Sequence, residues 1–204
     1  FILTFLTSYS FTSYSFAQKY NENENQKILD CSNLSGIEKV RCFKKIKAVE
    51  KCSALEIVNK KERCYLDYIR EKQDIKNIHK ECLKYKNRLL DLCIKNKEKI
   101  LLDYTELYLL GILYNTKNKI ENTKDKVTNK TIDFIINSSN SAKENLKKLK
   151  NITEAREIIN EFENNIKKSI SNNKIKEQIK DELNYLKTNV LNSFELLKNL
   201  RLKN

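Results

Sequence analysis

The strongest regularity in the chain lies toward its C-terminus, where Ile175, Ile179, Leu183, Leu186, Val190, Phe194 and Leu197 recur every three or four residues. That spacing keeps apolar side chains on one face of a 3.6-residue period and predicts an amphipathic helix from about Lys174 to Leu202. Ala155, Ile158, Ile159, Phe162 and Ile166 predict a second helix from about Thr153 to Ile170, and Ser171-Asn172-Asn173 supplies a turn between the two. The pair is expected to form an antiparallel hairpin packed on a central helix. That central helix is predicted at Ile100–Tyr114 (ILLDYTELYLLGILY), the most apolar stretch of the body. Its length and the charges of Asp103 and Glu106 argue against a membrane span and for burial on most sides. Between these elements Ile120, Val127, Phe134, Ala142 and Leu149 recur every seven or eight residues, a weaker stripe on a long helix with a break at Asn137-Ser138-Ser139-Asn140.

Upstream the pattern changes. Residues 18–30 (QKYNENENQKILD) are polar and aperiodic, as expected of a flexible linker. The segment CSNLSGIEKVRCF from Cys31 can then be laid over CSALEIVNKKERCY from Cys52, which predicts a short internal repeat of about 21 residues. A degenerate third copy carries Cys82 and Cys93. Ser35 with Glu38, and Ser53 with Glu56, have capping-box spacing, so helices are expected to start just after Cys31 and near Cys52.

Spacing limits how these cysteines pair. Eleven or twelve residues on one continuous helix rise about 16 to 18 Å, whereas a disulfide needs Cα atoms roughly 4.4 to 6.8 Å apart. A bond within one repeat therefore requires a chain reversal, and the alternative is a bond between neighbouring helices. Of the roughly 15 pairings that six cysteines allow, the sequential set is the first choice: Cys31 with Cys42, Cys52 with Cys64, and Cys82 with Cys93. Nine residues separate Cys42 from Cys52, and in this the segment resembles the twin Cys-x9-Cys helical hairpins of the mitochondrial intermembrane space. The resemblance implies antiparallel helices stapled to each other. Cys82 and Cys93 stand one residue further apart than that motif requires and two cysteines are left over, so no function is carried across.

Composition narrows the class. The 204 residues contain no Pro and only Gly36 and Gly111, which leaves too little turn punctuation for a β or α/β fold. The expected fold is all-α: a disulfide-stapled short-helix module at 31–98 followed by a bundle of long amphipathic helices at 99–204. Residues 1–17, from Phe1-Ile2-Leu3 to the small-x-small site Ser15-Phe16-Ala17, are expected to be a secretory signal peptide whose start is truncated. An even set of cysteines confined to one third of the chain agrees with export to an oxidising compartment, in the periplasm, at the cell surface or outside the cell.

The formal charge of +13 raises the question of a polyanionic partner. Lysines are spread along the whole chain, which favours a diffusely solvated surface, but residues 31–100 carry 19 basic against 10 acidic side chains and residues 101–204 carry 19 against 14. The denser stretch supplies the candidate anion-binding residues Arg41, Lys44, Lys45, Lys60, Lys61, Arg63, Lys84 and Lys86. Tyr65, Tyr68 and Tyr85 stand among such cations in the manner of a nucleic-acid stacking surface, yet their periodicity fits a core better, and nucleic acid is disfavoured as a partner. Four glycosylation sequons, at Asn33, Asn129, Asn137 and Asn151, are what an Asn-rich chain generates by chance.

No catalytic constellation is visible. There is no Gly-rich phosphate loop, GxSxG or HExxH, and paired carboxylates such as Glu161 and Glu163 are interleaved with lysines as on a solvated face. No Cys-x-x-Cys accompanies the single His79, so neither a zinc site nor thioredoxin-type chemistry is expected, and no cofactor is implied. The expectation is an exported, non-enzymatic helical interaction protein of the periplasm or cell surface. An unidentified protein is its first expected partner, or a second copy of the chain; the alternative is a basic protein acting on an acidic envelope or membrane surface.

Overall fold

The computed structural model describes residues 31–122, 137, 141, 152–170 and 173–202. The expected signal peptide and linker, most of the stripe from Ile120 to Leu149 with its break, the sequons at Asn129 and Asn151, and Ser171-Asn172 lie outside the described residues. Within them the protein is all-α, with no strand. Six α-helices are described: α1 (Gly36–Ser53), α2 (Val58–Ile69), α3 (Asn87–Asn122), α4 (Ile152–Ser169), α5 (Asn173–Leu186) and α6 (Asn192–Leu202). A 3-10 segment, Ile75–Lys84, joins α2 to α3, and a π-turn, Lys187–Leu191, joins α5 to α6.

The central helix is much longer than its apolar stretch. α3 has 36 residues, a length of about 54 Å at 1.5 Å per residue. It runs without interruption through residues 98 and 99, where the stapled module was expected to give way to the bundle. Its middle is buried almost all round: Leu101, Tyr104, Leu107, Tyr108, Leu109, Leu110, Ile112 and Leu113 are all enclosed. α1, α2, the 3-10 segment, α5 and α6 each pack on it, while α4 packs on α5 and the π-turn. One apolar core thus extends from Val49 in α1 to Leu197 in α6.

Local chemistry explains where the elements stop. Gly36 has a positive φ of 54°, which lets the chain swing into α1 behind the extended N-cap Ser35. The helix start expected near Cys52 is corrected by the structure. Ser53 ends α1, its hydroxyl donating to the Glu50 carbonyl at 3.3 Å, and the next helix begins only at Val58. Asn115 of α3 donates its side-chain amide to the Ser53 carbonyl at 2.9 Å and so satisfies a helix end that would otherwise lack a partner. α2 ends on Arg70 in a left-handed conformation (φ 61°), with the Glu71 amide reaching back to the Leu66 carbonyl at 2.9 Å. The C-terminal helix expected as one piece from about Lys174 is widened by the π-turn. The extra residue there buries Val190 and Leu191 together and aims Ser193 at the 3-10 segment, where its hydroxyl donates to the Ile75 carbonyl at 2.6 Å.

Four tyrosines fill the middle of the core. Tyr65 of α2 lies against Tyr104 and Tyr108 of α3, with ring centroids 6.3 and 5.8 Å away, and Tyr108 stacks on Tyr185 of α5 at 5.8 Å. Tyr65 is fully buried and so is not available for stacking on a nucleic acid. Its hydroxyl occupies the place that a side chain at Gly111 would take: a Cβ there would collide with that oxygen and lie 3.0 Å from ring carbon Cζ. The lone glycine of α3 is therefore what lets α2 approach α3 closely.

Gly111→Ala is expected to destabilise the protein by about 2 kcal/mol through overpacking, measured as a lower urea midpoint at unchanged m-value. Adding Tyr65→Phe, which deletes the nearest atom, should recover part of the loss. Undiminished stability of Gly111→Ala alone would show that Tyr65 does not pack over this glycine.

Candidate functional site

All six cysteines are paired, in the sequence Cys31–Cys42, Cys52–Cys64 and Cys82–Cys93, with Cα separations of 5.8, 5.5 and 5.6 Å. The geometry is the same each time. The second cysteine stands six residues after the first residue of a helix: Cys42 after Gly36, Cys64 after Val58, and Cys93 after Asn87. The first cysteine precedes the reversal that leads into that helix. Each bond therefore ties the second turn of a helix back to the segment before it.

The eight candidate anion-binding residues do not form one surface. Lys61 is buried and pairs with Glu182 of α5 at 3.0 Å. Lys45 of α1 binds Glu106 of α3 at 2.9 Å. Arg63 is engaged on α2 and the loop beyond it, with Asp67 at 2.9 Å, the Lys72 carbonyl at 3.1 Å and the Glu71 carbonyl. These three cations hold the fold together. Arg41 and Lys44 are exposed on α1, Lys60 on α2, and Lys84 and Lys86 where the 3-10 segment meets α3.

Two features meet at that junction. The first is a cleft of about 660 Å³ between the end of α2, the 3-10 segment and α3, lined among others by Arg70, Lys72, Lys84 and Lys99. Below them the buried Lys97 bridges Glu71 at 2.8 Å and Glu81 at 2.6 Å. Glu71 also accepts the backbone N–H groups of Lys72 and Gln73, both at 2.8 Å, which fixes the loop after the left-handed Arg70. The Lys97 ammonium, through its hydrogen bond and charge, holds the Glu81 carboxyl below its ordinary range. Burial alone would push the Lys97 ammonium down, but its two carboxylate partners outweigh that and raise it. Sequence reasoning did not single out this triad, because Glu71, Glu81 and Lys97 come from three separate elements.

The second feature is apolar. Leu83, Leu89 and Leu92 are 61%, 61% and 53% exposed. Leu83 and Leu92 are the chain neighbours of Cys82 and Cys93, whose Cα atoms are 5.6 Å apart. With about 3.8 Å per residue step, the two leucine Cα atoms lie within about 13 Å of each other. Leu89 sits one turn before Leu92 on the same side of α3. Lys84, Lys86, Arg88 and Lys95 are exposed around them, and Asp91 is the one acidic residue between positions 83 and 95. A signal for this patch was present in the sequence: Leu89 and Leu92 fall out of phase with the buried row Leu90, Ile94 and Leu101. Among the described residues no group of His, Cys, Asp or Glu is gathered to hold a metal ion.

Lys61→Met leaves Glu182 buried without its cation and is expected to cost about 3 kcal/mol or more, while adding Glu182→Leu should restore most of it. Additive losses in that thermodynamic cycle would show that the pair is not coupled. The Glu81 contact should behave as a depressed carboxylate: its contribution is complete above the ordinary value of 4.5 and disappears as pH falls through the folded value. Glu81→Gln should therefore lower the urea midpoint at neutral pH, with the deficit shrinking as pH falls below 4.5; a deficit independent of pH would assign it to packing.

No protein-family model, curated protein or solved structure matches this chain.

Proposed function

We propose that this chain is an exported, non-enzymatic helical interaction protein of the periplasm or cell surface, and that the Cys82–Cys93 corner is the face through which it binds. The observation that carries the reading is the exposure of Leu83, Leu89 and Leu92 on a backbone that a disulfide holds in place. Leaving three large apolar side chains in water forgoes stabilisation that burial would provide, and such patches mark surfaces that another body covers. Six paired cysteines favour an oxidising compartment. No described helix is long and apolar enough to cross a membrane. The common placement of the second cysteine six residues into a helix supports reading the three Cys-turn-helix segments as copies of one repeat, of which the third carries the binding residues.

The test separates binding from folding. Leu89→Ser with Leu92→Ser alters only exposed positions, so the thermal midpoint should stay within a degree or two of wild type. In fractionated cells of the native host the variant should lose association with the envelope fraction. Wild-type protein recovered from that fraction should take up six alkyl groups only after reduction, because all its thiols are paired. Unchanged association of the leucine variant would remove the corner as the binding face, and immediate alkylation of the native protein would remove export.

A further inference from the structure

Resting on the reading that this corner is the binding face, we infer that what it binds is the surface of an anionic lipid bilayer. The residues interleave rather than segregate: Leu83-Lys84-Tyr85-Lys86 alternates apolar and basic side chains, Arg88 and Leu89 follow Asn87, and Leu92 and Lys95 lie one and two turns on. Four basic residues stand against one acidic residue over positions 83–95. A protein-protein contact is built differently. Its centre is depleted in lysine. A bilayer surface accepts both components at once, with leucine in the headgroup–acyl boundary and ammonium or guanidinium groups among the phosphates.

The shape agrees. The leucines stand at a chain reversal, where Asn87 has a positive φ of 49°, and the cleft beside them is polar, lined by Glu71, Glu81 and Asp103 as well as by cations, so an amphipathic partner helix finds no apolar groove there. Tyr85 is half-buried with the Lys84 ammonium 5.1 Å from its ring centre, an aromatic with a cation at the level where headgroups would lie. The disulfide orders this segment in advance, so docking needs no folding of the loop. The excess positive charge of the whole chain, +13, adds long-range attraction to an anionic surface.

Co-sedimentation of the full chain with vesicles tests this. Binding is expected to vesicles of equal phosphatidylglycerol and phosphatidylcholine, to be much weaker to phosphatidylcholine alone, and to fall as salt is raised. Lys84→Gln with Lys86→Gln and Arg88→Gln should weaken it by about a hundredfold at low salt, near fivefold per charge. Leu89→Ser with Leu92→Ser should weaken it by about tenfold or more without moving the thermal midpoint. Equal binding to both vesicle types, or variants that bind as well as wild type, would overturn the inference. If the protein ignores vesicles while the leucine pair still governs association with native envelopes, and protease treatment of those envelopes abolishes it, the face binds a protein and only the lipid assignment falls. If the leucine pair affects neither vesicles nor envelopes, the binding face falls with it.

Discussion

A helix that is apolar around most of its circumference cannot rest at a surface; other elements have to enclose it. From Leu101 to Leu113 α3 is such a helix, and the arrangement of the other described elements follows from the need to cover it. α1 and α2 pack on it and on each other, α5 and α6 also pack on it, and the 3-10 segment packs on both α3 and α6. Covering a single axis with short helices from both ends of the chain demands sharp reversals. Those reversals are where the cysteines stand, and a bond across a short loop stabilises chiefly by restricting the unfolded chain, about 2 to 4 kcal/mol each.

Enclosure also decides what the lysines do. A chain with 40 basic residues has to bring some of them inside once so much surface is wrapped, and two of the buried lysines meet carboxylates there. Lys61 reaches Glu182, and Lys97 lies between Glu71 and Glu81. Glu163 shows the same logic from the acidic side: burial pushes its carboxyl up, yet the ammonium groups of Lys167 and Lys187 hold it below the ordinary range. Positive charge along the sequence is therefore divided between ties within the fold and solvated side chains. Counting it does not locate a site.

The helical class was legible because its signals are local. The near absence of Gly and Pro and the three-and-four spacing from Ile175 to Leu197 require no knowledge of neighbours. Cysteine spacing was legible as geometry, since eleven residues cannot be bridged along one helix. What was not legible depends on partners distant in sequence. Ser53 with Glu56 has the form of a helix start, but α1 continues to Ser53 and its last carbonyl is taken by Asn115, 62 residues away. The π-turn is invisible to periodicity because Val190 and Phe194 keep a four-residue spacing through it, while the position of Ser193 answers to Ile75. The Glu71–Lys97–Glu81 triad likewise exists only once three elements meet.

The exposed leucines are bound to the same constraint. In the first turns of α3, Leu90 and Ile94 point inward, in phase with Leu101, and Leu89 and Leu92 are rotated away from that row. Rolling the helix to hide them would turn Leu101, Tyr104 and Tyr108 out of the core, because a continuous helix transmits rotation along its length. Cys93 adds a second lock, since its bond to Cys82 fixes the start of α3 against the 3-10 segment. Local rearrangement therefore cannot bury these leucines, and a sequence free to place Lys or Asn there carries Leu at both positions instead. Among the described residues the exposure is a consequence of the buried hub, and the proposed binding face rests on it.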